Sequence, residues 1–375
     1  MIITESKQAF DYINQKFNRI LLVESQHIKY PPLGLLKLYS FYKYIKGVPY
    51  VDMRFGKHVF AHEKYDVILI TSGEFSYYKH KLVSIVEFYK REYPGVPIVV
   101  GGVYVIANKD IRTQLEDLGC TIIATNINEL DNTLYYVDYH MYNWNPWQFI
   151  FTSRGCTRKC KFCYVKDIEP TNFVLDSWKQ QILAKDVPPY IMIHDNNILS
   201  FGEKHFRDVV DTICESRRPV LFNGGYDARY WTEEFNQLNK KLVMRGLTSN
   251  ESIKFAFDNM TADGKIQTCL KDVAQYVQNM EEVLVYTLIN DSPIEEAKYR
   301  AAESLKLGAR PFIQVYTPLD YTDENPFNFH GKEWTPEVKI VHDYYNYKHY
   351  KTCTYDAYLE NEKKAGRYED KTDTV

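Results

Sequence analysis

Short apolar runs alternate with helical patterns along most of the chain, and that alternation leaves few folds open. In the first third, Arg19 to Val23, Tyr65 to Thr71, Val96 to Val100 and Thr121 to Ala124 read as buried strands. Between them, Leu36 to Ile45, Lys79 to Tyr93 and Ile111 to Leu118 carry apolar residues at helical spacing. Strand, helix, strand in repetition predicts a parallel, doubly wound sheet. The rhythm resumes at Trp147. Trp147 to Thr152, Tyr190 to His194, Val220 to Asn223, Ile253 to Asp258, Glu282 to Ile289 and Pro311 to Tyr316 read as strands. Leu175 to Ala184, Lys204 to Cys214, Thr232 to Met244, Lys265 to Met280 and Ile294 to Leu307 read as the helices between them. A strand roughly every 30 to 40 residues is the spacing of a βα barrel, and six such units predict a partial (β/α)6 barrel of TIM type.

The expected class is therefore α/β, with a Rossmann-like sheet over 1–135 and a barrel over 147–321. Residues 136–146 lack a clear period and read as a linker. The extension over 322–375 is tyrosine-rich between His342 and Tyr358, as in a helix that packs rings on a core. Its end, from Asn361, is charged and is expected to be disordered.

Composition excludes some classes of function. No apolar run approaches the roughly 18–20 residues of a membrane helix. The sequence pI of about 6.4 gives no basic footprint for nucleic acid. Met1 to Phe17 is polar and carries Glu5, Lys7 and Asp11, unlike a secretory signal or an Arg-rich transit peptide. A cytoplasmic location is expected. No Gly-x-Gly-x-x-Gly follows the first strand, so a nicotinamide or flavin dinucleotide is not expected. Gly101 and Gly102 do close a strand at the sheet edge where ligands of such folds sit. They serve either a flat ligand that approaches the backbone or a tight turn.

Of seven cysteines, three fall in one run. Cys156, Cys160 and Cys163 have the spacing Cys-x3-Cys-x2-Cys, with Phe162 before the last thiol. An odd total with one cluster is a poor disulfide framework and a reasonable metal arrangement in a reducing compartment. Structural zinc takes four ligands, usually as two pairs, and no fourth Cys or His follows nearby. Three thiolates can hold three irons of a cubane and leave the fourth open to chemistry. Arg154, Arg158, Lys159 and Lys161 flank the thiols and are placed to offset a cluster's negative charge, or to form an ordinary solvated turn.

Spacing, aromatic residue and position after the first barrel strand together resemble the radical S-adenosylmethionine (SAM) superfamily. The resemblance implies a 4Fe-4S cluster on the three cysteines, with SAM on the open iron. Reductive cleavage would then give a 5′-deoxyadenosyl radical that takes hydrogen from a small-molecule or nucleotide-like substrate. The resemblance also implies an electron donor such as a flavodoxin or ferredoxin. Cofactor contacts then fall at strand ends: Asp195 and Asn196 after the second, Gly224, Gly225 and Arg229 after the third, Asp258 and Asn259 after the fourth. His194, Tyr286 and Tyr316 are candidates for roles toward substrate, with Asn290, Asp291, Gln314 and Asp320 beside them.

The front region is similar to the cobalamin-binding-type domain that precedes some radical SAM cores. Pro31-Pro32-Leu33-Gly34-Leu35 and Pro97 to Gly102 carry that likeness. The Asp-x-His-x-x-Gly element for a lower cobalt ligand is absent, and His27 does not supply it. The region is read either as a cobalamin holder or as a scaffold. Three functions compete: radical SAM hydrogen abstraction, cobalamin-dependent radical methylation, and a non-enzymatic zinc-stabilised binding module.

Overall fold

Arg19 to Val23 does become a central strand in the computed structural model, which describes residues 1–25, 30–59, 63–73, 79–290, 292–316 and 335–367. The described elements form two compact units, one over Met1–Asn196 and the other over the described residues from Asn197 onward.

In the first unit the order is β1 (Ile2–Ile3), α1 (Ser6–Ile13), β2 (Arg19–Glu24), α2 (Leu33–Ser40), β3 (Tyr50–Phe55), β4 (Val67–Thr71), α3 (Lys79–Glu92), β5 (Ile98–Gly101), α4 (Val103–Ala107), α5 (Lys109–Asp117), β6 (Thr121–Ile123) and α6 (Asn128–Thr133). The strands make one six-stranded sheet in the order β1-β6-β5-β4-β2-β3, and its ladders are parallel. Leu22 sits opposite Leu69, and Leu69 opposite Val99. Both faces of these central strands are covered, which is why they read as unbroken apolar runs. The two edge strands escaped sequence reading for the converse reason. β1 is two residues long, and β3 alternates Asp52 and Arg54 with its apolar residues.

The expected linker is tied down rather than loose. Asp138 accepts from Tyr44 Oη (2.5 Å), from Lys43 Nζ (3.3 Å) and from the backbone N–H of His140 (2.9 Å), and it pairs with His140 Nδ1 (2.7 Å). Burial works against its charge, but these partners outweigh that and hold its carboxyl down at about 2.

The chain continues in this unit through β7 (Trp147–Ile150), β8 (Ser153–Arg154), α7 (Val165–Ile168), β9 (Phe173–Val174), α8 (Trp178–Leu183) and β10 (Tyr190–Ile193). β7 pairs parallel with β10, and β8 pairs antiparallel with β9.

The second unit holds α9 (Glu203–Ser216), β11 (Val220–Phe222), β12 (Tyr226–Asp227), α10 (Glu233–Met244), β13 (Lys254–Ala256), α11 (Lys265–Val273), β14 (Leu284–Ile289), α12 (Ile294–Lys306), β15 (Arg310–Val315), α13 (Pro336–Asn346) and α14 (Tyr355–Lys364). Strands β12 to β15 pair in sequence order, all parallel. α11 ends at Val273, well short of Met280. Asn279 instead caps a 3-10 turn at Met280–Glu282 that feeds β14. α13 lies along β15, where the Asn346 amide gives and takes a hydrogen bond with the Ile313 backbone at 2.9 and 2.8 Å. Tyr344, Tyr345 and Tyr358 enter a core with Ile289, Ala301 and Ile313, so the tyrosine-rich tail is packing material. Helix α14 carries the chain in regular structure to Lys364, past the Asn361 at which disorder was expected. Among the described residues no helix is long and apolar enough to cross a membrane.

Candidate functional site

Cys156, Cys160 and Cys163 lie on the loop between β8 and α7, all three half-buried and free of disulfides. Its base is closed by the β8–β9 pair, in which Ser153 faces Val174 and Arg154 faces Phe173. Gly155 starts the loop at φ +80°, and a Cβ there would collide with Thr171 O and Asn172 Oδ1. Only glycine meets both demands. Within the loop, the Arg158 N–H points at Cys156 Sγ (3.4 Å), and the Cys163 N–H closes a turn onto Cys160 O (3.1 Å). Phe162 is half-buried beside them.

Two of the other four cysteines differ in kind. Cys120 and Cys269 are buried, and burial pushes their thiols up, Cys120 to about 11, so neither is set to act as a thiolate. Among the described residues no three His, Cys, Asp or Glu side chains converge as ligands of one ion would. Ligands of a cubane are spread differently, one thiolate to each of three irons. By donor count, three thiols on one loop suit a 4Fe-4S cluster better than the four-ligand shell of a closed zinc site.

Beneath the loop the polar residues interlock. Asp195 is 4% exposed and takes the Thr152 N–H (2.6 Å), Thr152 Oγ1 (2.5 Å) and Ser153 Oγ (2.6 Å). Burial pushes its carboxyl up, and those same bonds push back. Both of its oxygens are engaged in fastening the end of β10 to the strand that leads into the cysteines. Asn196 donates to Glu169 Oε2 at 2.8 Å. His194 packs its ring against Phe149 and Phe151, at centroid distances of 5.3 and 5.8 Å.

Arg154 departs from expectation. Its guanidinium turns inward to Asp131 and Glu169, away from a role in balancing charge on the thiols. Burial disfavours that cation, but the two carboxylates outweigh it and raise its pKa. Of the remaining flanking cations, Lys159 and Lys161 are exposed.

Gly101 and Gly102 lie elsewhere in the same unit, at the end of β5. A Cβ on Gly102 would stand 2.5 Å from Ser72 Oγ and 2.6 Å from Ser72 O. Ser72, just past β4, occupies the space that a side chain at Gly102 would need, so the tight turn by itself accounts for that glycine. A Cβ on Gly101 would make only ordinary contact with Ile123.

In the second unit, Gly224 sits half-exposed between β11 and β12, and a Cβ on Gly225 would stand 3.3 Å from the Phe255 backbone of β13 and from Tyr286 Cδ2. Arg229, expected to grip a carboxylate of the ligand, grips Asp227 instead. Nε and Nη2 reach its two oxygens at 2.6 and 2.8 Å, and Nη1 goes to Thr261 Oγ1 at 3.0 Å. Asn259 caps the short turn that follows, accepting from the Thr261 N–H at 3.1 Å. Tyr286 packs edge-on to Phe312 at 5.8 Å, and burial raises its phenol. Tyr316 is half-buried at the end of β15, where its N–H meets Ile289 O at 2.9 Å. His27, Asp291 and Asp320 lie outside the described residues.

Asp258 has a separate electrostatic signature. Burial pushes its carboxyl up to about 6, although Arg300 and Arg229 favour the charge. Arg300 is itself fully buried and is held by Phe257 O (2.6 Å) and Leu288 O (2.9 Å). Because the folded value exceeds the unfolded one, ionisation opposes folding. The group's contribution is complete below about pH 4 and is lost as pH rises through about 6. Two pKa units correspond to roughly 3 kcal/mol. Asp258→Asn is therefore expected to gain up to about 3 kcal/mol over wild type at neutral pH and nothing below about pH 4. Urea unfolding across that range checks it, and a pH-independent difference would refute it.

Glu169, Asp131 and Lys37 were missed by sequence reasoning. Lys37 alone left a trace, as the one charge in the apolar helix α2.

No protein-family model matches the chain, and no curated protein matches it. Solved structures do. An α/β fold with parallel sheets is shared with the radical S-adenosylmethionine methyltransferase TsrM from Kitasatospora setae, solved with tryptophan substrate and the SAM analogue aza-SAM bound. The TM-score is 0.59 at 12% identity, over 81% of this chain and 75% of that one. A second structure of TsrM, with cobalamin and a 4Fe-4S cluster bound, gives a TM-score of 0.58 at 13% identity over 81% and 77%.

Proposed function

We propose that the chain is a radical SAM enzyme, with a 4Fe-4S cluster on Cys156, Cys160 and Cys163. One observation carries the reading: three half-buried thiols share a single loop whose base is fixed by Gly155, the β8–β9 pair and buried ion pairs. The TsrM-like fold supports it. When bound, cluster and SAM supply a one-electron cleavage that yields methionine and a 5′-deoxyadenosyl radical able to take hydrogen from an unactivated carbon. The chain's own residues hold the loop, shape the strand ends and keep water out.

In this reading β7, β10, β11, β13, β14 and β15 are the six strands of a partial (β/α)6 barrel over 147–321. It follows a front domain at 1–135 and a linker at 136–146, and the extension at 322–375 completes the chain. Asn196, Gly224, Gly225, Asp258 and Asn259 are assigned to SAM, and Asp195 to the backbone that carries them. His194, Tyr286 and Tyr316 are assigned to a small-molecule or nucleotide-like substrate. Lys159 and Lys161 offer an exposed basic face to an acidic electron donor such as a flavodoxin or ferredoxin. A reducing cytoplasm suits free thiols.

Methyl transfer through cobalamin is a second reading. It is favoured because the likeness to TsrM spans 81% of the chain and the front region folds as a parallel sheet. One experiment addresses both: anaerobic reconstitution with iron and sulfide, addition of SAM and dithionite, then mass spectrometry. 5′-Deoxyadenosine supports radical cleavage, and S-adenosylhomocysteine with a retained corrinoid supports methylation. A fully assembled cluster that cleaves no SAM overturns the proposal.

A further inference from the structure

The ion pairs under the cysteine loop end on a residue far from it in sequence. Lys37, on α2, is 6% exposed and gives its ammonium to Asp131 Oδ1 at 2.5 Å. The other oxygen of Asp131 takes Nε and Nη2 of Arg154 at 2.9 and 2.6 Å. The remaining Nη1 of Arg154 reaches Glu169 Oε1 at 2.8 Å. Glu169 Oε2 then accepts from the Gly155 N–H at 2.7 Å and from Asn196 at 2.8 Å. Phe151 presents its ring to both cations, 5.4 Å from Lys37 Nζ and 3.6 Å from Arg154 Cζ. Two cations and two carboxylates make a closed set with no net charge. Each oxygen of Asp131 serves a different cation, so losing either cation frees that carboxylate to swing and leaves one excess negative charge beneath the loop.

We propose that Lys37 is a positioning residue for the cysteine loop. It acts through Asp131, Arg154 and Glu169 to fix the Gly155 peptide, from which the chain departs toward Cys156, Cys160 and Cys163. It also supplies the charge that keeps the set neutral. The contacts along this path form one chain of hydrogen bonds, and Glu169 makes the last link to the backbone of the loop. The part that concerns the potential rests on the cluster reading above; the part that concerns loop order does not.

The test uses the full chain as wild type, Lys37→Met, Lys37→Arg and Glu169→Gln. The first readout is the alkylation rate of each cysteine in reduced apo-protein, resolved by peptide mass spectrometry, with buried Cys120 and Cys269 as internal controls for global opening. Lys37→Met is expected to speed labelling at Cys156, Cys160 and Cys163 roughly tenfold, as a local opening would. The controls should stay slow, and Lys37→Arg should restore the wild-type rate. The second readout is the midpoint potential of the reconstituted cluster, by redox titration with electron paramagnetic resonance. Loss of a positive charge disfavours an added electron, so Lys37→Met should shift it to a more negative value while Lys37→Arg holds it. Where Lys37→Met also opens the controls, Glu169→Gln, which removes the Glu169 charge and one of its two acceptor oxygens but leaves the Lys37–Asp131 pair in place, decides the loop question. Unchanged labelling of the three loop cysteines in Lys37→Met with slow controls, or in Glu169→Gln, overturns the inference. A wild-type protein that assembles no cluster overturns the proposed function instead, and the labelling comparison still decides the role of Lys37.

Discussion

Alanine at any one of Cys156, Cys160 or Cys163 is expected to abolish SAM cleavage down to the background without enzyme, while the protein stays folded. A cubane held by two thiolates has lost one of the donors that set its charge and its open position, and its iron is easily stripped. The fold has little stake in these side chains. All three are half-buried on a loop and none belongs to the buried apolar core. Substitutions of this kind usually stay within about 0.5 kcal/mol. Cys269→Ala should behave in the opposite way. That thiol is 1% exposed in the core of the second unit, so its loss should lower stability while the cluster remains intact. Iron and sulfide per chain, deoxyadenosine formation and a urea midpoint separate the two patterns. A loop variant that retains full iron and activity would end the cluster assignment. One that loses zinc and unfolds would favour the zinc-stabilised module.

Why the loop was legible and its support was not follows from where each interaction lies. The three cysteines are close in sequence, and their chemistry is written in their spacing. Central strands were equally plain, because Ile20 to Val23 and Val67 to Ile70 are buried on both sides and admit no polar residue. Edges were not: β3 carries alternate charges since only part of it is covered. The residues that hold the loop are distant in sequence, Lys37 from Asp131 by 94 positions and Asp131 from Arg154 by 23. No local period links them. Sequence reading saw basic residues beside the thiols and read them either as offsetting a cluster's charge or as a solvated turn. It had no means to see that Arg154 faces inward, because the carboxylates that turn it come from α6 and from the far side of the loop. Gly102 and Arg229 carry the same lesson. Each was open to a ligand reading; Ser72 crowds the space that a side chain at Gly102 would need, and Asp227 pairs with Arg229.

Arg154→Met should therefore be among the most damaging single changes outside the thiols, at about 3–5 kcal/mol. The substitution keeps an apolar stem over Phe151 but strips the buried Asp131 and the half-buried Glu169 of their shared partner. Asp131 keeps only Lys37, and Glu169 keeps only the Gly155 amide and Asn196. Desolvation is no longer offset on either side, and that penalty exceeds what a surface ion pair contributes, about 0–1 kcal/mol. In apo-protein the urea midpoint should fall with the slope unchanged, which marks lost stability rather than a changed unfolded state. Arg154→Lys should fall between the two, since a single ammonium cannot bridge Asp131 and Glu169 as the planar fork does. Adding Glu169→Gln to Arg154→Met should cost less than the sum of the two, because it removes one of the charges that the first change stranded. Strict additivity, or a loss of only about 0.5 kcal/mol for Arg154→Met, would mean that these charges are hydrated after all. The base of the loop would then need another explanation for its order.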